Sequence, residues 1–183
     1  MKNALIIHGT DGHPKENWFP WLKEQLEILE YQVMVPQFPT PENQDPKHWF
    51  EVLNQYQDNF NEETVLIGHS CGGAFLLRVL EEIQVKIKAA VFVSASAVVK
   101  PIKYYEIDRP FIEEPFDWKK IKNSIENIFV FHSEDDPLIC PENAKLIAEK
   151  TDADLTILSN AGHFDLKAGY DTFELLLDKL KNI

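Results

Sequence analysis

Cysteine is scarce in this chain, with Cys71 and Cys140 the only two in 183 residues. Two thiols do not build a disulfide framework, and the expectation is a free, buried Cys71. Basic residues are outnumbered, 18 Lys and Arg against 30 Asp and Glu, for a formal net charge of −12. That balance argues against nucleic acid and anionic membrane surfaces, both of which need Lys/Arg clusters. The acidic excess is assigned to solubility. Long apolar runs are missing as well. Met1–His8 holds one lysine and an apolar stretch too short for a signal peptide or a membrane span. Cytoplasmic residence is the expectation. No His/Cys cluster has metal-ligand spacing, so no metal and no cofactor are expected. No repeat, low-complexity tract or linker divides the chain, and residues 1–183 are expected to form one domain with its own core.

What is present is an alternation. Ala4–Ile7, Val33–Val35, Val65–Ile67, Ala89–Val93, Ile128–Phe131 and Leu155–Leu158 are short apolar runs with a β-branched bias. Between them lie segments with helical spacing: Trp18–Glu30, Pro46–Phe60, residues 72–83, a proline-started stretch from Pro141, and Tyr170–Leu180. Strands that are apolar throughout are buried on both faces, and strands alternating with helices pair in parallel. The fold class is therefore α/β, a three-layer sandwich of about six mostly parallel strands. Residues 97–116 break the alternation, with Pro101, Pro110 and Pro115 among four aromatics and no clean period. They lie at the carboxyl edge of the sheet, where such folds bind ligands, and are expected to form a short cap.

Gly68-His69-Ser70-Cys71-Gly72 follows the Thr64–Ile67 run directly. G-x-S-x-G between a strand and a helix is the sequence form of a nucleophile elbow, a turn so tight that glycine is needed on both sides of the serine. A serine hydroxyl is a weak nucleophile and needs a base, which needs an orienting acid. After an elbow the acid should precede the histidine in chain order. Glu134-Asp135-Asp136-Pro137 follows the fifth run and Gly162-His163-Phe164 the sixth. Among six histidines, only His163 has the right order and loop. His8 is a second candidate to line the site, His69 is the variable elbow position, His132 comes too early, and His13 and His48 are read as solvated or structural. Asp135 and Asp136 are adjacent, and spacing does not choose between them.

Taken together, His8-Gly9-Thr10-Asp11-Gly12, Trp18-Phe19-Pro20-Trp21-Leu22, the elbow, Ser133–Pro137 and Ala161–Phe164 resemble one small family of α/β-hydrolases. It is the family that includes the retinoblastoma-binding serine hydrolase and its bacterial relatives. The resemblance spans essentially the whole chain and implies a minimal α/β-hydrolase fold with a six-stranded parallel sheet and a short cap. It places the nucleophile on Ser70, the base on His163, and the acid on Asp136, directly before the proline. Oxyanion stabilisation is expected from the backbone N–H groups of Cys71 and Thr10.

The expected chemistry is acyl transfer through an acyl-enzyme, with a small-molecule ester or amide as substrate. A carboxylesterase is the leading reading, with an amidase or aminopeptidase as a variant. A non-catalytic binding protein that keeps the elbow for structural reasons is the alternative from another class. The L-x-C-x-E motif of the human family member is missing from Asn59–Glu63, and the formal match at Leu138-Ile139-Cys140-Pro141-Glu142 has a stronger structural reading. A retinoblastoma-type partner is not supported.

Overall fold

Strands that are apolar at every position must be covered on both sides, and Ala4, Leu5, Ile6 and Ile7 are all fully enclosed. A computed structural model describes Met1–Ile183. Six strands are present: β1 (Asn3–Ile7), β2 (Gln32–Met34), β3 (Thr64–His69), β4 (Ile87–Val93), β5 (Ile125–Ser133) and β6 (Asp154–Leu158). They form one sheet in the order β2-β1-β3-β4-β5-β6, with every neighbouring pair parallel. Parallel strands need crossovers, and helices supply them: α1 (Phe19–Ile28), α2 (Pro46–Leu53), α3 (Cys71–Glu82), α4 (Tyr105–Ile112), α5 (Trp118–Asn123) and α6 (Glu142–Thr151), with α7 (Glu174–Lys181) following the last strand.

The sheet separates two apolar cores. Successive side chains leave a strand on opposite faces, so Leu5, Ile7, Leu66, Ala90 and Phe92 join one layer with residues of α2 to α6. Ala4, Ile6, Val65, Ile67, Val91 and Val93 join the other with α1 and α7. Trp49 on α2 is fully buried, its ring 4.8 Å from Phe38, 5.2 Å from Phe75 and 4.8 Å from Phe111. The outcome is the three-layer α/β-hydrolase architecture, with all β-to-α turns gathered on one edge of the sheet.

Three expectations need correction. The closing helix, expected from Tyr170, begins only at Glu174. The helix from Pro46 stops at Leu53 and does not reach Phe60; only a single 3-10 turn, Gln57–Asn59, follows. Asn54, Asp58 and Asn59 bond readily to nearby backbone and compete with the helix. Residues 97–116 are not without regular structure, because α4 lies inside them. Pro110 has no N–H to give to Glu106, and the inward face of α4 is Asp108, Phe111 and Ile112. A buried aspartate on the apolar stripe is what hides the period. No helix is long and apolar enough to cross a membrane.

Candidate active site

The turn from β3 to α3 can exist only because of its glycines. A Cβ on Gly68 would stand 2.6 Å from the Gly72 carbonyl oxygen, and one on Gly72 would stand 2.4 Å from the Ile7 carbonyl oxygen. Between them Ser70 adopts φ 56°, ψ −124°, a conformation that costs an L-residue energy and persists only when its surroundings impose it. The surroundings are clear: the Ser70 N–H donates to Val93 O at 2.9 Å, and Gly9 packs so closely that a Cβ there would lie 2.7 Å from the Ser70 Cβ. Ser70 is 8% exposed at the N-terminus of α3, the positive end of the helix dipole.

The two aspartates after β5 part company. Asp136 faces His163, with its carboxylate oxygens 2.9 and 3.1 Å from Nδ1. The same carboxylate accepts the N–H groups of Leu138 and Ile139 at 2.8 and 3.2 Å. Burial pushes Asp136 up, but the His163 contact and the Leu138 N–H outweigh it and hold the carboxyl below its usual range. A carboxylate there requires Nδ1 to be the protonated nitrogen of His163, which leaves Nε2 free to accept. Asp135 accepts instead from the Ser133 hydroxyl at 2.5 Å and the Gly162 N–H at 3.1 Å. It ties down the residue before the histidine.

The histidine loop is also held from the other layer. Gly162 and Phe164 both have φ 52°, so His163 sits between two left-handed residues. The His69 Nε2–H donates to the His163 carbonyl at 2.8 Å, and the Trp18 Nε1–H donates to the Phe164 carbonyl at 3.1 Å. Burial drives His69 down to about 3, so its ring stays neutral. His69 and Trp18 thus hold the histidine loop, whereas in the sequence His69 stood only as the variable elbow position and Trp18 as the start of a helical stretch. Nothing in the sequence pairs them with a loop some 94 and 146 residues away.

His8 is not at the cavity surface. It is fully buried, and burial pushes it down to about 4. Its Nδ1–H donates to Gly9 O at 2.8 Å, and Nε2 accepts the Phe38 N–H at 2.9 Å. It shapes the β1 loop from beneath. His13, read as solvated or structural, lies on the cavity wall. His132 is buried behind the acid, its Nε2–H donating to Ile139 O at 2.9 Å.

Gly9, Thr10, His69, Ser70 and His163 open into one cavity of about 350 Å3, walled further by Tyr104 from the cap and Leu138 from the acid turn. The Thr10 N–H makes no backbone hydrogen bond. Cys71 is the first residue of α3, so its N–H has no preceding turn to donate into. Burial raises the Cys71 thiol well above its ordinary value, which favours the protonated form over the thiolate. No group of three His, Cys, Asp or Glu side chains is disposed to hold a metal ion.

The serine hydrolase family model matches residues 4–182. The chain belongs to the serine hydrolase family. YdeN of Bacillus subtilis (strain 168), named as a hydrolase, is 30% identical over 179 residues, 98% of this chain and 94% of that protein. The serine hydrolase RBBP9 of Rattus norvegicus is 29% identical over 164 residues, 88% of this chain and 86% of its own length. The crystal structure of the B. subtilis ydeN gene product superposes with a TM-score of 0.92, covering 100% of this chain and 98% of that one. A meta-cleavage product hydrolase of Pseudomonas fluorescens IP01, 14% identical, shares the fold with a TM-score of 0.76 over 100% of this chain and 91% of that one. Members of this family are hydrolases, and the coarse activity of the chain follows.

Proposed function

We propose that this serine hydrolase cleaves small carboxylic esters by acyl transfer through Ser70. His163 accepts the Ser70 proton as its oxygen attacks the acyl carbon, and later returns it to the leaving alcohol. Asp136 holds the tautomer and stabilises the imidazolium. The Thr10 and Cys71 N–H groups receive the tetrahedral oxyanion, each such donor being worth about 3 kcal/mol to the transition state. Water then enters by the same route in reverse and frees the acid. The observation that carries this reading is the two-oxygen contact of Asp136 with His163 Nδ1, His163 itself opening into the cavity where Ser70 sits in its strained turn.

The cavity supports a short acyl group rather than a long one. Of its 14 lining residues only Tyr104, Leu138 and Leu166 are apolar, too few to cover an extended alkyl chain. Amides of the same size remain substrates of the same chemistry, with a poorer leaving group. The test is steady-state hydrolysis of p-nitrophenyl acetate, butyrate and octanoate by the wild type and Ser70→Ala. The expected result is a fall in kcat/KM from the short to the long ester, and loss of turnover in the variant. Equal rates for the two proteins would overturn the reading.

A further inference from the structure

Thr10 and Cys71 share more than the oxyanion role assigned to their amides. Their side chains converge on a single buried carboxylate. The Thr10 hydroxyl donates to Asp108 Oδ1 at 2.5 Å. The Gln44 amide nitrogen donates to the same oxygen at 3.1 Å and to Thr10 Oγ1 at 2.6 Å, and it lies 3.5 Å from the Cys71 sulfur. The arrangement continues along the β1 loop: the Asp11 N–H donates to Thr40 Oγ1 at 2.7 Å, and the Thr40 hydroxyl to Gln44 Oε1 at 2.6 Å. Two consecutive residues of that loop are thus tied into one network, the first through its side chain and the second through its backbone.

Asp108 is 1% exposed and sits on α4, on the same face as Phe111 and Ile112. A carboxylate is a costly way to fill an apolar helix face, and burial does push Asp108 upward against its hydrogen-bond donors. An aliphatic side chain would complete that face without the penalty. What a carboxylate adds is an acceptor for several donors at once. Its place on the helix matters as well. Tyr104, one turn earlier, receives the Asp108 N–H at 2.9 Å and lines the cavity. One face of the cap helix therefore touches both the cavity and the loop that carries Thr10.

We propose that Asp108 is a positioning residue that fastens the cap helix to the oxyanion loop, so that alignment of the Thr10 amide depends on the seating of the cap. It accepts from the Thr10 hydroxyl, fixes that side chain, and through it the orientation of the Thr10 N–H toward the cavity. The inference rests on the acyl-transfer reading above.

The experiment compares wild type, Asp108→Ala, Asp108→Asn and Thr10→Val on p-nitrophenyl acetate and on a methyl trifluoromethyl ketone. The ketone probes the oxyanion site directly: the Ser70 oxygen adds to its carbonyl carbon, the serine proton passes to His163, and the carbonyl oxygen becomes the bound anion. Complete loss of an oxyanion donor costs about 10²- to 10³-fold in kcat, so a misaligned one should cost about 10- to 100-fold. Asp108→Ala is expected to lower kcat and ketone affinity together by that factor, with KM within about threefold of wild type. Asp108→Asn keeps an acceptor oxygen for Thr10 and should stay within about threefold of wild type in all three. Thr10→Val removes the donor hydroxyl but keeps the amide; it should show the same loss of about 10- to 100-fold in kcat and ketone affinity, and it supplies the readout should Asp108→Ala fail to fold. Ketone affinity unchanged in both Asp108→Ala and Thr10→Val would overturn the inference. So would a parallel loss of kcat, KM and melting temperature, the mark of a merely structural carboxylate. In both cases turnover by the wild type and not by Ser70→Ala leaves the acyl-transfer reading standing. A wild type without Ser70-dependent turnover removes both.

Discussion

Two neighbouring carboxylates of the same type do different work at residues 135 and 136. Asp136 is shielded, with a side chain 0% exposed, and binds His163 Nδ1. Asp135 is exposed and secures the Ser133 hydroxyl and the Gly162 N–H. Asp136→Asn should lower kcat on p-nitrophenyl acetate by on the order of 10³- to 10⁴-fold, because an amide nitrogen facing Nδ1 favours the wrong tautomer. Asp135→Asn keeps an acceptor oxygen for both donors and should cost less than about tenfold. Comparing kcat for the two variants checks the assignment, and a larger loss at position 135 would reverse it. The sequence left this choice open on spacing, and the resemblance alone pointed to position 136. Which of two successive side chains turns inward depends on the backbone of the Asp136–Ile139 turn, where two amides converge on one carboxylate. Pattern does not report that.

Elements were legible where one periodicity governed them. All six strands lie where apolar runs with a β-branched bias stand; in β1, β3 and β4 burial on both faces leaves few polar positions to confuse the pattern, while the edge strands β2 and β6 are only partly covered. The cap was not, because α4 carries Pro110 within it and Asp108 on its buried face. α5 is six residues long with one buried side chain, Ile121, too little for any period to show. The entry to the cap is strained as well. Val98 holds φ 79°, a region that branched side chains rarely visit. Asn143 grips both sides of it, its Oδ1 accepting the Ala97 and Val99 N–H groups at 2.7 and 3.0 Å and its Nδ2 donating to Val99 O at 2.7 Å. Val98→Gly should therefore raise stability by about 1 kcal/mol, strain relief exceeding the entropy cost of glycine. Asn143→Ala, which orphans buried backbone groups, should lower it by about 2–4 kcal/mol. Urea denaturation midpoints at constant m-value check both. A stabilising Asn143→Ala would show that the grip is not what holds the cap entry.

At the scale of the whole molecule, acid stability is set by groups the fold keeps uncharged. Burial lowers His8 to about 4 and His69 to about 3, while a histidine in the unfolded chain takes its proton near pH 6.5. Between those values the unfolded state binds more protons, so stability is retained above about 6.5 and falls as the pH drops toward 4 and then 3. Each histidine contributes a slope of at most about 1.4 kcal/mol per pH unit. Urea titrations at pH 7.5, 6.0 and 5.0 should show the decline, and His69→Asn should make it shallower. An unchanged slope in that variant would contradict the neutral, buried state of His69. The architecture itself was legible because alternating strands and helices admit few topologies, and the elbow because glycine at residues 68 and 72 has no substitute. What stayed hidden joins distant segments: His69 to residue 163, Trp18 to residue 164, Asp108 to Thr10. The central claim is that Ser70 is an activated nucleophile, and one measurement addresses it most directly. Wild type and Ser70→Ala are incubated with a fluorophosphonate at neutral pH and read by intact mass and peptide mapping. A single adduct on Ser70, lost in the variant, is the predicted result. Folded wild type that gains no adduct, or an adduct that survives in Ser70→Ala, would contradict it.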